Sequence, residues 1–177
     1  MGEVIAMYDV LVLVEEEISM ADAKELVQLY AGSADAVKFH VLVPCENARA
    51  QVEASLTGLA GSDLFGMPSQ RYAFRPDEDV RRAADDAQRA VDAEAAAALE
   101  RSVGRLRSFD RDADGLITHR HPVDELVDSI PRVHGQEVVV LTRPHVIAEL
   151  LHVDWSAQAR RHLGVPVLHL LEQQPTE

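Results

Sequence analysis

HPVDELVDSIPRVHGQEVVVLTRPHVIAELLHVDWSAQARRHLGVPVLHLLE, running from His121 to Glu172, decides the fold. An apolar-periodic run opens at His121-Pro122, and Val138-Val139-Val140-Leu141 follows it. A second run opens at Pro144, and Val165 to Leu171 closes the stretch. A strand as uniformly apolar as Val138–Leu141 is one buried on both faces, which happens when helices cover both sides of a parallel sheet. The pattern predicts an open α/β fold. Ligands of such folds sit at the carboxyl ends of the strands, where the strand order reverses.

Working back towards the amino terminus, the same alternation continues. Tyr8 to Val14 (YDVLVLV) reads as a buried strand ended by Glu15-Glu16-Glu17. Ser19 is placed to cap a helix, with Asp22 three positions on completing a capping box and Gly32 ending it. Ala36 to Val43 is a second strand, stopped by Pro44. Glu46 to Arg75 has no clean period and carries Gly58, Gly61, Gly66 and Pro68, so residues 44–75 read as a long connection or insert. Pro76 and the acidic Asp77-Glu78-Asp79 open the longest helix, with an alanine-rich seam from Val80 through Ala84, Ala95 and Ala98 to Leu106. A third strand is expected from Leu116 to His119. No repeat or linker divides residues 1–177, which are expected to form one domain.

Composition narrows the function. The net charge of −13 opposes a phosphate backbone, so nucleic acid is not an expected partner, despite the local cluster Arg101, Arg105, Arg107 and Arg111. No apolar run approaches the roughly 20 residues needed to span a bilayer. Met1 to Tyr8 carries Glu3 and no basic residue, unlike a secretory signal. The single cysteine, Cys45, leaves no internal disulfide and suits a reducing compartment, so a cytoplasmic protein is expected.

One motif suggests a metal. Asp110, Asp112 and Asp114, followed by Gly115, an apolar residue and Thr118, match the front of an EF-hand calcium loop. The twelfth position is His121 where a bidentate glutamate belongs, and Pro122 follows directly. Calcium at Asp110, Asp112 and Asp114 therefore stands as the lesser alternative to an acidic turn leading into a strand. His119, His121, His145 and His152 lack the spacing of a transition-metal site. Ser156 and His152 stand at helical proximity but without an elbow, an orienting acid or an oxyanion hole, so no catalytic residue is assigned.

The order of elements resembles the universal stress protein family. The resemblance is carried by Val10 to Tyr30, by HRHPVDELVDSI from His119 to Ile130, and by ARRHLGVPVLHLL from Ala159 to Leu171. It implies a doubly wound domain with a five-stranded parallel sheet in the order 3-2-1-4-5, like that of the adenine nucleotide α-hydrolases. Nucleotide-binding members use an acidic residue after the first strand, where this chain has Glu15. They also use a glycine-rich pattern after the fourth strand, where this chain has Thr142-Arg143-Pro144-His145 and, further on, Trp155-Ser156. Glycine amides there would cradle phosphate oxygens. Proline has no amide hydrogen, and a tryptophan ring would occupy the phosphate position.

The resemblance thus implies a non-enzymatic regulatory or small-ligand-binding module of stress-response type that does not bind ATP in the usual way. An ATP- or AMP-binding protein with an altered phosphate site is the alternative. The expected pocket gathers Glu15, His119, His121, Thr142, Arg143, His145, Trp155 and Ser156 around a small anionic ligand. The family resemblance also implies a homodimer through the edge strand Val165–Leu171.

Overall fold

The computed structural model describes residues 7–45, 78–142 and 161–171. Five strands, β1 (Met7–Val14), β2 (Ala36–Pro44), β3 (Asp112–Thr118), β4 (Glu137–Thr142) and β5 (Val167–Leu171), form one sheet. Every pairing is parallel, as the alternation of elements predicts, and the order is β3-β2-β1-β4-β5, the one that the family resemblance implies. The helices are α1 (Met20–Leu29), α2 (Glu78–Arg107) and α3 (Pro122–Val133). Contacts divide the chain into two compact units, Met1–Pro44 with Ala95–Glu177, and Cys45–Glu94.

In the first unit, β1 lies at the centre, with β2 on one edge and β4 on the other. Its residues Val10 to Val14 are all buried. Alternation along a strand sends Leu11 and Leu13 to one face and Val10, Val12 and Val14 to the other. On the first face Leu11, Leu13, Leu42, Val138, Val140 and Val167 meet Leu126 and Ile130 of α3 and Leu163. On the second, Phe39 of β2 meets the ring of Tyr30 just past α1, with centroids 5.7 Å apart. The end of α2 turns Ala95, Ala98, Ser102 and Leu106 inward at spacings of three and four residues, and the first three are small enough to allow close approach to the sheet.

Local signals account for the helix ends. The Ser19 hydroxyl accepts a hydrogen bond from the Asp22 amide and the Asp22 carboxylate accepts one from the Ser19 amide, the expected capping box. The helix stops at Leu29, before Gly32, because Tyr30 is the cap and its amide turns back to Val27 and Gln28. Helix α3 begins with Pro122 at its first turn and ends on His134 in the left-handed region (φ 56°), with the Gly135 amide returning to Ile130 at 2.8 Å. In the second unit the described part of α2 carries Asp92, whose carboxylate accepts from Cys45 at 2.9 Å and from Gln88 at 2.7 Å.

The third strand begins earlier than its hydrophobicity indicates. It runs from Asp112, not Leu116, and ends at Thr118. Its early residues are polar because they pair with the polar start of β2: Asp112 lies beside Lys38 and Asp114 beside His40. Gly115 fits a packing need. A Cβ there would stand 2.2 Å from the carbonyl oxygen of Val41 and 2.7 Å from a methyl of Leu99 on α2. We therefore expect Gly115→Ala to destabilise the protein by about 1–3 kcal/mol through overpacking against backbone. Gly104→Ala, in the interior of α2 with nothing within 4 Å of a new Cβ, should be neutral or stabilising by up to about 1 kcal/mol. Urea denaturation of the two variants checks both; equal effects would overturn the packing explanation.

Candidate functional site

Sheet order creates the crevice. From β1 the chain moves through α1 to β2 on one side, while β4 returns on the other, so the strands beside β1 lead in opposite directions. The pairing of β1 with β4 ends at Val14 and Leu141, and β4 runs one residue further, to Thr142 beside Leu171 of β5. Glu15 and Thr142 therefore follow that last pair abreast, at the carboxyl ends of adjacent strands. Glu15 is half-buried. Arg143, His145, Trp155 and Ser156 of the expected pocket lie outside the described residues, as does His152.

The segment after β1 is held from behind by α2. Glu17 accepts from the Arg101 guanidinium and, at 2.9 Å, from Arg105. The Ile18 amide donates to the Ser102 hydroxyl at 2.9 Å, and the Ile18 carbonyl accepts from Arg105 at 2.5 Å. Burial acts to raise the Glu17 carboxyl, but the hydrogen bonds and charges of Arg101 and Arg105 outweigh it and hold it below its usual value.

His119 and His121 are exposed and follow β3, at the far edge of the sheet. Two strands separate β3 from β4, so at the usual strand spacing they stand about 14 Å across the sheet from the Thr142 line. His121 is the N-cap of α3 through its backbone and makes no side-chain cap. The group between them and the helix is organised instead around Glu125, which is 7% exposed. Glu125 accepts from Thr118 at 3.3 Å, Ser129 at 3.1 Å and Arg132 at 3.1 Å, and pairs with Arg120 at 3.5 Å. A carboxylate removed from water needs such compensation. The set ties the start of α3 to the end of β3.

Asp110, Asp112 and Asp114, the residues of the calcium alternative, are spread over a turn and a strand. A calcium loop must curl its oxygens around one point, but Asp112 and Asp114 lie on an extended strand in register with β2. Asp110 sits in the turn before it, in the left-handed region with φ 59°. Asp114 is already engaged, at 2.9 Å by Lys38 and 2.6 Å by His40, whose other ring nitrogen meets Asp9 at 2.7 Å. The aspartates recur at every second residue because β3 exposes one polar face.

No protein-family profile matches the chain, and no curated protein sequence matches it. Solved structures do. A protein of the universal stress protein family from Arabidopsis thaliana, solved with AMP bound, aligns over 94% of this chain and 92% of its own, at 15% identity and a TM-score of 0.53. The fold is that of the universal stress proteins. The universal stress protein of Archaeoglobus fulgidus aligns over 92% of this chain and 93% of its own, at 14% identity and a TM-score of 0.45. A Burkholderia pseudomallei protein of the same family gives 12% identity over 92% and 96%, with a TM-score of 0.42. Identities this low speak for the universal stress protein fold alone.

Sequence reading missed the Glu17 clamp and the His40 bridge. The clamp joins residues 84 and 88 apart, and the arginines at i and i+4 on α2 were its only local sign. For the bridge, Lys38 and His40 at i, i+2 in an otherwise apolar strand already mark a polar face. The bridge has a pH consequence. Burial acts to raise the Asp114 carboxyl, but Lys38 and His40 outweigh it and hold it below its usual 3.8. The folded carboxyl loses its proton more readily than the unfolded one, so its contribution is present above about pH 4 and is lost as pH falls through the lower folded value. Asp114→Asn should accordingly flatten the fall in urea midpoint between about pH 5 and about pH 2.5. An unchanged fall would show that the bridge contributes nothing.

Proposed function

We propose that the protein is a non-enzymatic, regulatory binding module with the universal stress protein fold, taking a small anionic ligand at the carboxyl ends of β1 and β4. One observation carries this: the pairing of β1 with β4 ends at Val14 and Leu141, where strand order reverses, the position ligands take in open α/β sheets. Arg143 follows Thr142 directly in the sequence, and a guanidinium supplies forked donors to phosphate or carboxylate. With Pro144 and Trp155 where glycines would cradle phosphates, the anion is held by side chains. The AMP bound in the Arabidopsis structure favours a nucleoside monophosphate as the second reading, with Glu15 facing its ribose hydroxyls.

A ligand that binds only the folded state raises the melting temperature. Inorganic phosphate or AMP at millimolar concentration should raise it by a few degrees, with ATP–magnesium no better than AMP. Arg143→Ala should abolish the shift. Absence of any shift with all three, and of any small molecule in native mass spectrometry of untreated protein, would refute the reading.

The same proposal includes a homodimer through β5 and a cytoplasmic, stress-responsive setting. Leu168 and Leu170 on β5 are half-buried and Leu171 is 49% exposed, an apolar surface at the border of the sheet that suits a second copy. The opposite edge is blunted, because Arg107 donates to the Ala113 carbonyl of β3 at 3.0 Å. Among the described residues no helix is long and apolar enough to cross a membrane. Light scattering should give twice the chain mass for the wild type and the chain mass for Leu170→Lys; a monomeric wild type at micromolar concentration would overturn the dimer.

A further inference from the structure

One stretch of α2 engages Glu17 and Ile18, the end of the segment after β1, through side chains at Arg101, Ser102 and Arg105. Both backbone groups of Ile18 are taken, the amide by Ser102 and the carbonyl by Arg105. The Ile18 side chain is fully buried. Ser102 donates in turn to the Ala98 carbonyl at 2.7 Å, so its hydroxyl is locked in the direction that accepts from Ile18. Arg105 is the shared element, because the same Nη1 reaches Glu17 and Ile18. Three carboxylates stand in a row at Glu15, Glu16 and Glu17, and like charges on neighbouring residues repel. The two guanidinium groups on Glu17 offset that repulsion at its end and fix where the run joins Ile18. A short loop held through the peptide groups on both sides of one residue has little freedom left to lose when a ligand arrives.

We infer that Arg105 is the positioning residue of the candidate site: it clamps Glu17 and Ile18 so that Glu15 is held in place beside Thr142 before any ligand binds. The inference rests on the ligand site proposed above, but the clamp itself can be read without a ligand. Arg101, with its side chain 44% exposed against 26% for Arg105, is the accessory partner. It reaches Glu17 but not the Ile18 backbone.

The test is nuclear magnetic resonance relaxation on the full chain. In the wild type the amides of Glu15, Glu16 and Glu17 should give order parameters near about 0.85, and Arg105→Ala should lower them below about 0.6. The amides of Val10 to Val14 should not change. Arg105→Lys should restore part of the order through Glu17, and Glu17→Gln, which keeps the side-chain volume, should reproduce part of the loss. Should Arg105→Ala not fold, the Glu17→Gln and Arg105→Lys pair gives the same answer. Unchanged order at Glu15–Glu17 in Arg105→Ala, or in both of that pair, overturns the inference.

AMP then separates the clamp from the site. If the wild type binds it, Arg105→Ala should weaken binding about tenfold, the cost of ordering roughly one residue. Arg105→Lys should recover part of that loss. Binding of AMP by Arg105→Ala with wild-type affinity would overturn the positioning role. Failure of the wild type to bind AMP or phosphate would count against the ligand site, while the order parameters still decide the clamp.

Discussion

Complete enclosure of β1 is the constraint from which the rest of the first unit follows. Val10 to Val14 touch β2 on one edge, β4 on the other, and a helical layer on each face. A run so apolar gains roughly 1.5–3 kcal/mol for each large side chain fully removed from water, and no two-layer arrangement buries both of its faces. Right-handed crossovers then leave little choice. Going from β1 to β2 puts α1 on one face, whereas returning from β3 to β4 puts α3 on the other. The reversal of strand order beside β1 is a by-product of that switch, so the location of the candidate site is fixed by packing before any ligand chemistry enters.

The charged groups inside the unit fill a different role. Exposed pairs such as Arg120 with Asp128 contribute roughly 0–1 kcal/mol, too little to rival the core. The buried or half-buried sets act through direction instead. Glu125 takes bonds from Thr118, Ser129 and Arg132 and so fixes the angle at which α3 leaves β3. His40, between Asp9 and Asp114, laces three strands across the polar part of the sheet. Glu17 does the same between a loop and a helix. In each case removal of one partner would strand a partly desolvated charge, which explains why the groups occur in sets of three or more.

Periodicity made most of the fold legible. The runs of Val and Leu in β1 and β4, the capping box at Ser19 and the proline opening α3 each state their own structure, and the parallel order follows from their alternation. The beginning of β3 was hidden because an edge strand has no need to be apolar throughout. Its aspartates on alternate residues and its glycine imitate a calcium loop, although the glycine answers to Val41 and Leu99. The candidate site was legible only as a place. Glu15 and Thr142 could be put side by side by counting strands, whereas the separation of His119 and His121 from them depends on how many strands intervene. Arg105 reaching Glu17 spans most of the distance between β1 and β3 along the chain, and no local pattern encodes such a meeting.

The arginine that occupies the outer carbonyl of β3 has an effect on assembly. A carbonyl already taken by a side chain of the same molecule has less to offer a strand arriving from outside, so this border of the sheet is a poorer template for adding another chain than its exposed strand position alone implies.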